Sequence, residues 1–95
     1  MDKILNFKDK ETAKIYNQEF SRKLPQGIQR TALRKLMLID KSADINDLKN
    51  PPGNCFEALK GDRLGQFCIR INDQYRVCFT YADGYFSDVE IVDYH

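Results

Sequence analysis

Ninety-five residues with 42% apolar and 12% aromatic side chains make one domain, 1–95, able to fold around a single core without metal or disulfide staples, and they exclude wholesale disorder. Fifteen basic against 14 acidic residues leave a net charge of +1, which excludes a broadly basic nucleic-acid coat. No run has signal-peptide length or approaches the roughly 20 apolar residues that span a bilayer, so a cytoplasmic chain with no membrane partner is expected.

In chain order, Ile4-Leu5-Asn6-Phe7 reads as a short first strand. Asp9 then offers an N-cap, and Ala13, Tyr16 and Phe20 form one stripe of a helix expected to run to about Arg22. Leu24-Pro25-Gln26-Gly27 breaks it, and a second helix is expected from about Ile28 to Asp40-Lys41, with Ile28, Ala32, Leu36 and Ile39 on its buried face. Arg30, Arg34, Lys35 and Lys41 fall mostly off that stripe, either as a solvated face or as cations that track phosphate. Residues 42–53 are a connector, with one turn at Asp44–Leu48 and no regular structure at Pro51-Pro52-Gly53.

After Gly53 the apolar period changes to two, and the spacing predicts strands at Cys55–Leu59, Gly65–Ile71, Tyr75–Tyr81 and Phe86–Tyr94, with a turn at Asp83-Gly84. Helices first and a meander second give an α+β domain, two N-terminal helices packed on one face of a small antiparallel sheet. Joining the apolar sets places Ile71 opposite Tyr75, Ile69 opposite Val77 and Phe67 opposite Phe79, around a loop Asn72-Asp73-Gln74. Cys68 then faces Cys78, and Arg70 faces Arg76, on the other side of the sheet.

Charge is unevenly spread: residues 1–50 hold 11 basic and 7 acidic side chains, and residues 51–95 hold 4 and 7. Any phosphate contact in the second half therefore rests on Lys60, Arg63, Arg70 and Arg76. Two readings of the arginine pair stay open: a solvated face paired with Glu57, Asp88 or Glu90, or a floor whose guanidinium forks match phosphate oxygens. Asp62-Arg63 is a candidate turn salt bridge. The three cysteines lack CxxC spacing and there is one histidine, so no metal or cofactor is expected and Cys68 and Cys78 are expected to be reduced. The run Val89-Glu90-Ile91-Val92 leads directly into Asp93-Tyr94-His95, three proton-handling groups anchored by an apolar strand.

Pro51-Pro52-Gly53-Asn54, Glu57-Ala58-Leu59-Lys60-Gly61-Asp62-Arg63, Cys68-Ile69-Arg70-Ile71-Asn72-Asp73-Gln74-Tyr75-Arg76 and Val89-Glu90-Ile91-Val92-Asp93-Tyr94-His95, in that order, resemble the HigB toxins. These are a branch of the RelE-like toxins of bacterial type II toxin–antitoxin systems. The resemblance runs through residues 51–95, with residues 1–50 fitting by length and helix pattern. It implies the RelE-like fold and a metal-independent endoribonuclease that cuts mRNA in the A site of the 70S ribosome. It also implies inhibition by a HigA-like helix-turn-helix antitoxin, through which alone operator DNA is bound. The family's catalytic lysine falls on Lys60, its sheet arginine on Arg76 and its C-terminal Asp-Tyr-His on Asp93, Tyr94 and His95. Some relatives carry a histidine where this chain has Glu57, so either Glu57 takes part in proton transfer or that task rests with His95.

The chemistry is coherent with these residues. Cleavage without a metal needs the ribose 2′-hydroxyl deprotonated, the phosphorane charge stabilised and the 5′-oxygen protonated. Arg76 and Lys60, with Arg63 and Arg70 as further phosphate contacts, would supply the cations. Glu57, Tyr94 and His95 share the proton-transfer roles, a histidine's unperturbed pKa being about 6.5. Arg30, Arg34 and Lys35 are candidates for docking on rRNA. The alternatives are a non-catalytic RNA- or ribosome-binding module, or a partner-binding protein that uses its Tyr85-Phe86 edge.

Overall fold

A computed structural model describes residues 2–94; His95 lies outside the described residues. Helix α1 spans Lys10–Tyr16 and helix α2 spans Gln26–Lys41. Strands β1 Glu57–Ala58, β2 Phe67–Arg70, β3 Tyr75–Ala82 and β4 Tyr85–Asp93 form an antiparallel sheet in the order β1-β2-β3-β4. The fold is α+β as expected, with both helices on one sheet face. No helix is long and apolar enough to cross a membrane.

The β2–β3 register is the one the alternation predicts: Phe67 with Phe79, Cys68 with Cys78, Ile69 with Val77 and Arg70 with Arg76. Val77 in turn faces Ile91 on β4, so the inward set of all three long strands lines up beneath the helices. Ala32, Leu36 and Ile39 of α2 close over this layer with Ile69, Val77, Phe79, Phe86 and Val89, all fully buried. Asp83 (φ 55°) and Gly84 (φ 85°) both take left-handed backbone, the conformation that lets a two-residue turn follow the twist of β3 and β4.

β4 is not a continuous ladder. Cys78 pairs with Glu90 but Thr80 pairs with Ser87, so Asp88 and Val89 together oppose Phe79. This bulge uses left-handed backbone at Asp88 (φ 52°), which Asp tolerates better than most residues. The side chain of Asn6 brackets it, accepting from the Asp88 N–H at 2.8 Å and donating to Asp88 Oδ1 at 3.4 Å. The extra residue turns Val89 inward and sends Glu90 to the outer face.

The first residues are extended and run parallel along β4, bridging Ile4 to Phe86 and Phe7 to Val89. They cover the sheet's free edge, which would otherwise present unpaired N–H and C=O groups. Asp40, at the end of α2, anchors this segment. Its buried carboxylate accepts from the N–H groups of Lys3 (2.8 Å) and Ile4 (3.1 Å) and from the Tyr16 hydroxyl (2.5 Å). Thr12 does the same work for α1: fully buried, it donates to Asp9 at 2.6 Å and accepts from the Ile91 N–H at 2.9 Å.

Four expectations need correction. α1 ends at Tyr16 rather than near Arg22, because Gln18 takes left-handed backbone (φ 63°) and its N–H and that of Glu19 satisfy the carbonyls of Ile15 and Lys14. Phe20 is therefore off the helix and 60% exposed, while the buried residues of α1 are Thr12 and Ile15. Strand β1 is two residues rather than five, since Cys55 is left-handed (φ 47°). Pro52–Asn54 closes a single 3-10 turn, whose fully buried Asn54 accepts from Lys35 Nζ and donates to the carbonyls of Leu48 and Asn50.

Hydrogen bonding to Asp40, then burial, pushes the Tyr16 hydroxyl up to about 12. The folded chain holds this proton more tightly than the unfolded one, so the stabilisation is complete below pH about 10 and is lost as pH rises toward 12. Tyr16→Phe should lower stability at pH 7 by about 2 kcal/mol. Denaturant melts between pH 9 and 12 should show a shallower alkaline loss in the variant; equal loss in both proteins would contradict the assignment.

Candidate active site

The face of the sheet turned away from the helices carries every other residue of β2, β3 and β4. At its centre Cys68 and Cys78 are fully buried, packed with Leu59 and covered by Val92 and Tyr94. Both are free thiols, and contact with Cys78 together with burial pushes the Cys68 thiol far above its usual range. They serve as small floor residues. Polar groups stand around them.

Arg76, on central strand β3, is the best-positioned cation. Its Nη1 donates to the Asn72 carbonyl and, at 3.2 Å, to that of Tyr75, while its guanidinium carbon lies 5.1 Å from the centre of the Tyr94 ring. Stacking of this kind contributes about 0.5–2 kcal/mol and holds the planar fork in one orientation. The Tyr94 hydroxyl in turn donates to Glu57 Oε1 at 3.4 Å. A cation, a phenol and a carboxylate from three chain segments thus form one contiguous array. The Glu57 charge and burial raise the Tyr94 hydroxyl above its ordinary value, against a smaller opposite effect of Arg76. Tyr94 thus holds its proton more tightly than a free phenol, suited to donate or to stack rather than to act as a base.

The turn between β1 and β2 supplies two more cations. Arg63 donates to Glu90 Oε1 and Gln66 Oε1, each at 3.0 Å, and Lys8 approaches the same Glu90 oxygen at 3.7 Å. The expected Asp62–Arg63 pair is absent among the described residues; Arg63 reaches Glu90 instead because the bulge has brought Glu90 to this face. Lys60 opens the turn before Gly61 (φ 64°), its side chain exposed and without a hydrogen bond or ion pair among the described residues.

The remaining candidates lie further out. Arg70 faces Arg76 but turns to Asp73 at the hairpin, so the two like charges diverge. Neither arginine pairs with Glu57, Asp88 or Glu90 among the described residues. Asp93 pairs in register with Tyr75, on the alternate parity to Tyr94, and accepts from Gln74 Nε2 at 3.0 Å. On α2, Arg30 and Arg34 are exposed, whereas Lys35 is held by Asn54. Sequence reasoning missed the anchoring roles of Glu90, Gln66 and the Asn72 carbonyl. Only Glu90 left a signal, as the one carboxylate within the apolar run Val89–Val92. No cluster of three or more metal-ligating side chains occurs among the described residues.

The model of the RelE-like toxin of the type II toxin–antitoxin system HigB matches residues 5–95. Toxin HigB-1 of Vibrio cholerae serotype O1 is 41% identical over 81 residues, covering 84% of this chain and 85% of the relative. An uncharacterized protein of Haemophilus influenzae is 37% identical over 62 residues, 65% of this chain and 61% of its own length.

The Arg76–Tyr94–Glu57 array has a spectroscopic signature. Glu57→Gln removes the negative charge that opposes phenolate formation, so the Tyr94 pKa should fall; Arg76→Ala should raise it further. Titration of ring-labelled tyrosine by carbon NMR reads both shifts, and movement in the same direction in the two variants would contradict the array.

Proposed function

The chain belongs to the RelE-like HigB toxins of type II toxin–antitoxin systems, which implies an antitoxin partner, and we propose that it is a ribosome-dependent endoribonuclease of the bacterial cytoplasm. It cleaves mRNA in the A site of the 70S ribosome, stops translation, and is neutralised by a HigA-like helix-turn-helix antitoxin that carries any operator binding. The observation that carries this reading is the Arg76–Tyr94–Glu57 array on an accessible sheet face, with the unpaired Lys60 in the adjoining turn.

In the reaction, the 2′-oxygen attacks the adjacent phosphorus in line, the P–O5′ bond breaks, and a 2′,3′-cyclic phosphate remains. Glu57 takes the 2′-hydroxyl proton. Arg76 and Lys60 bind the non-bridging oxygens as negative charge builds, usually the largest catalytic contribution. The fork of Arg76 is already oriented by Asn72, Tyr75 and Tyr94, so little reorganisation accompanies the step. Tyr94 stacks on a base or donates from its protonated hydroxyl. His95, outside the described residues, returns a proton to the 5′-oxygen, and Asp93 supports that end of the chain. Arg63 and Arg70 steer the flanking phosphates.

The low overall charge fits a nuclease that does not capture free RNA. Such capture would need many phosphate contacts and would be steeply salt-dependent. Here Arg30 and Arg34 dock the exposed side of α2 on rRNA, and the ribosome supplies the mRNA in place.

Primer extension on mRNA held in programmed 70S ribosomes tests the proposal. The protein should produce discrete cuts within the A-site codon, none on naked mRNA, and Arg76→Ala should reduce the rate by roughly 10²-fold or more. Ribosome binding by folded protein without cuts would instead support a non-catalytic ribosome-binding module.

A further inference from the structure

The side of α2 turned away from the sheet carries a groove that takes no part in the proposed bond cleavage. Its volume is about 400 Å³, and Arg34, Lys35, Met37, Leu38, Lys41 and Pro51 line it. Arg34, Met37, Leu38 and Lys41 recur at helical spacings of three and four. They form a second stripe on α2, apolar at its centre and cationic at both ends. Lys41 lies about two helical turns beyond Arg34, about 10 Å along the helix. Pro51, from the connector pinned by Asn54, forms the opposite wall.

The cations here, Arg34, Lys35 and Lys41, are not neutralised by any carboxylate among the described residues. The one acid of α2, Asp40, is buried and used by Lys3, Ile4 and Tyr16. Crowding is evident at Lys35, which burial and then the charges of Arg34 and Arg70 hold below its usual range. An anionic occupant would relieve it. RNA fits poorly, because the floor has no aromatic ring on which a base could stack. An apolar floor between two cations instead complements a helix with apolar side chains at i, i+3 and i+4 flanked by Asp or Glu.

We propose that this groove is the docking site for an acidic amphipathic helix of the antitoxin. The inference rests on the chain's being a toxin with an antitoxin partner, but not on its cleaving RNA. Occupation of the groove also covers Arg34, one of the two cations assigned to rRNA docking.

The test is isothermal titration of a HigA-like antitoxin into wild-type protein, Met37→Glu and Lys41→Glu. Each charge reversal should weaken binding at least tenfold, and Lys41→Ala, a milder change at an exposed position, about threefold to tenfold; circular dichroism verifies folding. Affinity should fall with added salt in the wild type and less steeply in Lys41→Ala. Unchanged affinity in all three variants overturns the proposal, whether or not the protein cleaves mRNA. Unchanged antitoxin affinity with lost ribosome binding overturns it in favour of RNA as the occupant.

Discussion

One register governs this molecule: Ile69 opposite Val77 opposite Ile91. Side chains alternate strictly along a strand, so a slip of one residue would exchange the faces. It would push Arg70, Arg76 and Glu90 under the helices and lift Phe79 and Val77 into solvent. Burying even one unpaired guanidinium costs several kcal/mol, and each exposed Phe or Val forfeits roughly 1.5–3 kcal/mol. The hydrophobic pattern therefore both builds the core and puts the cations on the opposite face. Site and core are two readings of the same alternation.

The helices hold that sheet through a few buried polar contacts rather than by apolar packing alone. Asp40 ties the leading segment and α1 to the end of α2, and Thr12 ties α1 to the backbone of β4. Asn54 ties the connector to α2. Each polar group is buried with its hydrogen bonds made, the condition under which such groups specify one arrangement instead of costing stability. The consequence reaches the outer face. Arg76 sits on a central strand whose neighbours are fixed on both sides, while Lys60 and Arg63 sit on a turn, where only Arg63 is anchored.

Much of this was legible in the chain. The period of two fixed the β2–β3 register to the residue, and the stripe Ile28–Ala32–Leu36–Ile39 gave the buried face of α2. The early stop of α1 was hidden because left-handed backbone falls on Gln18, where no glycine announces it. The bulge was readable in principle: Phe86 and Val89 both face the core, an odd spacing that a regular strand does not allow. Reading β4 as regular concealed how Glu90 comes to hold Arg63. Arg76, Tyr94 and Glu57 were each named through the resemblance, but their mutual contacts escaped because they need β4 and the short β1 placed on either side of β2 and β3, contacts far apart in sequence. Asp93 and Tyr94, adjacent in the chain, take opposite parities, which sequence adjacency disguises.

These pieces make a small toxin whose folding energy is spent on one rigid sheet and whose candidate site occupies the side the core does not need. A cation held by a ring and two carbonyls, beside a phenol hydrogen-bonded to a carboxylate, is suited to bind a phosphodiester. The most direct measurement is a cryo-electron microscopy structure of the protein on a 70S ribosome whose A-site codon carries 2′-methoxy groups and so resists cleavage. The account predicts the scissile phosphate on the outer sheet face, within hydrogen-bonding reach of Arg76 and Lys60, with Glu57 beside the 2′-oxygen. An mRNA path that leaves this face open to solvent would contradict it.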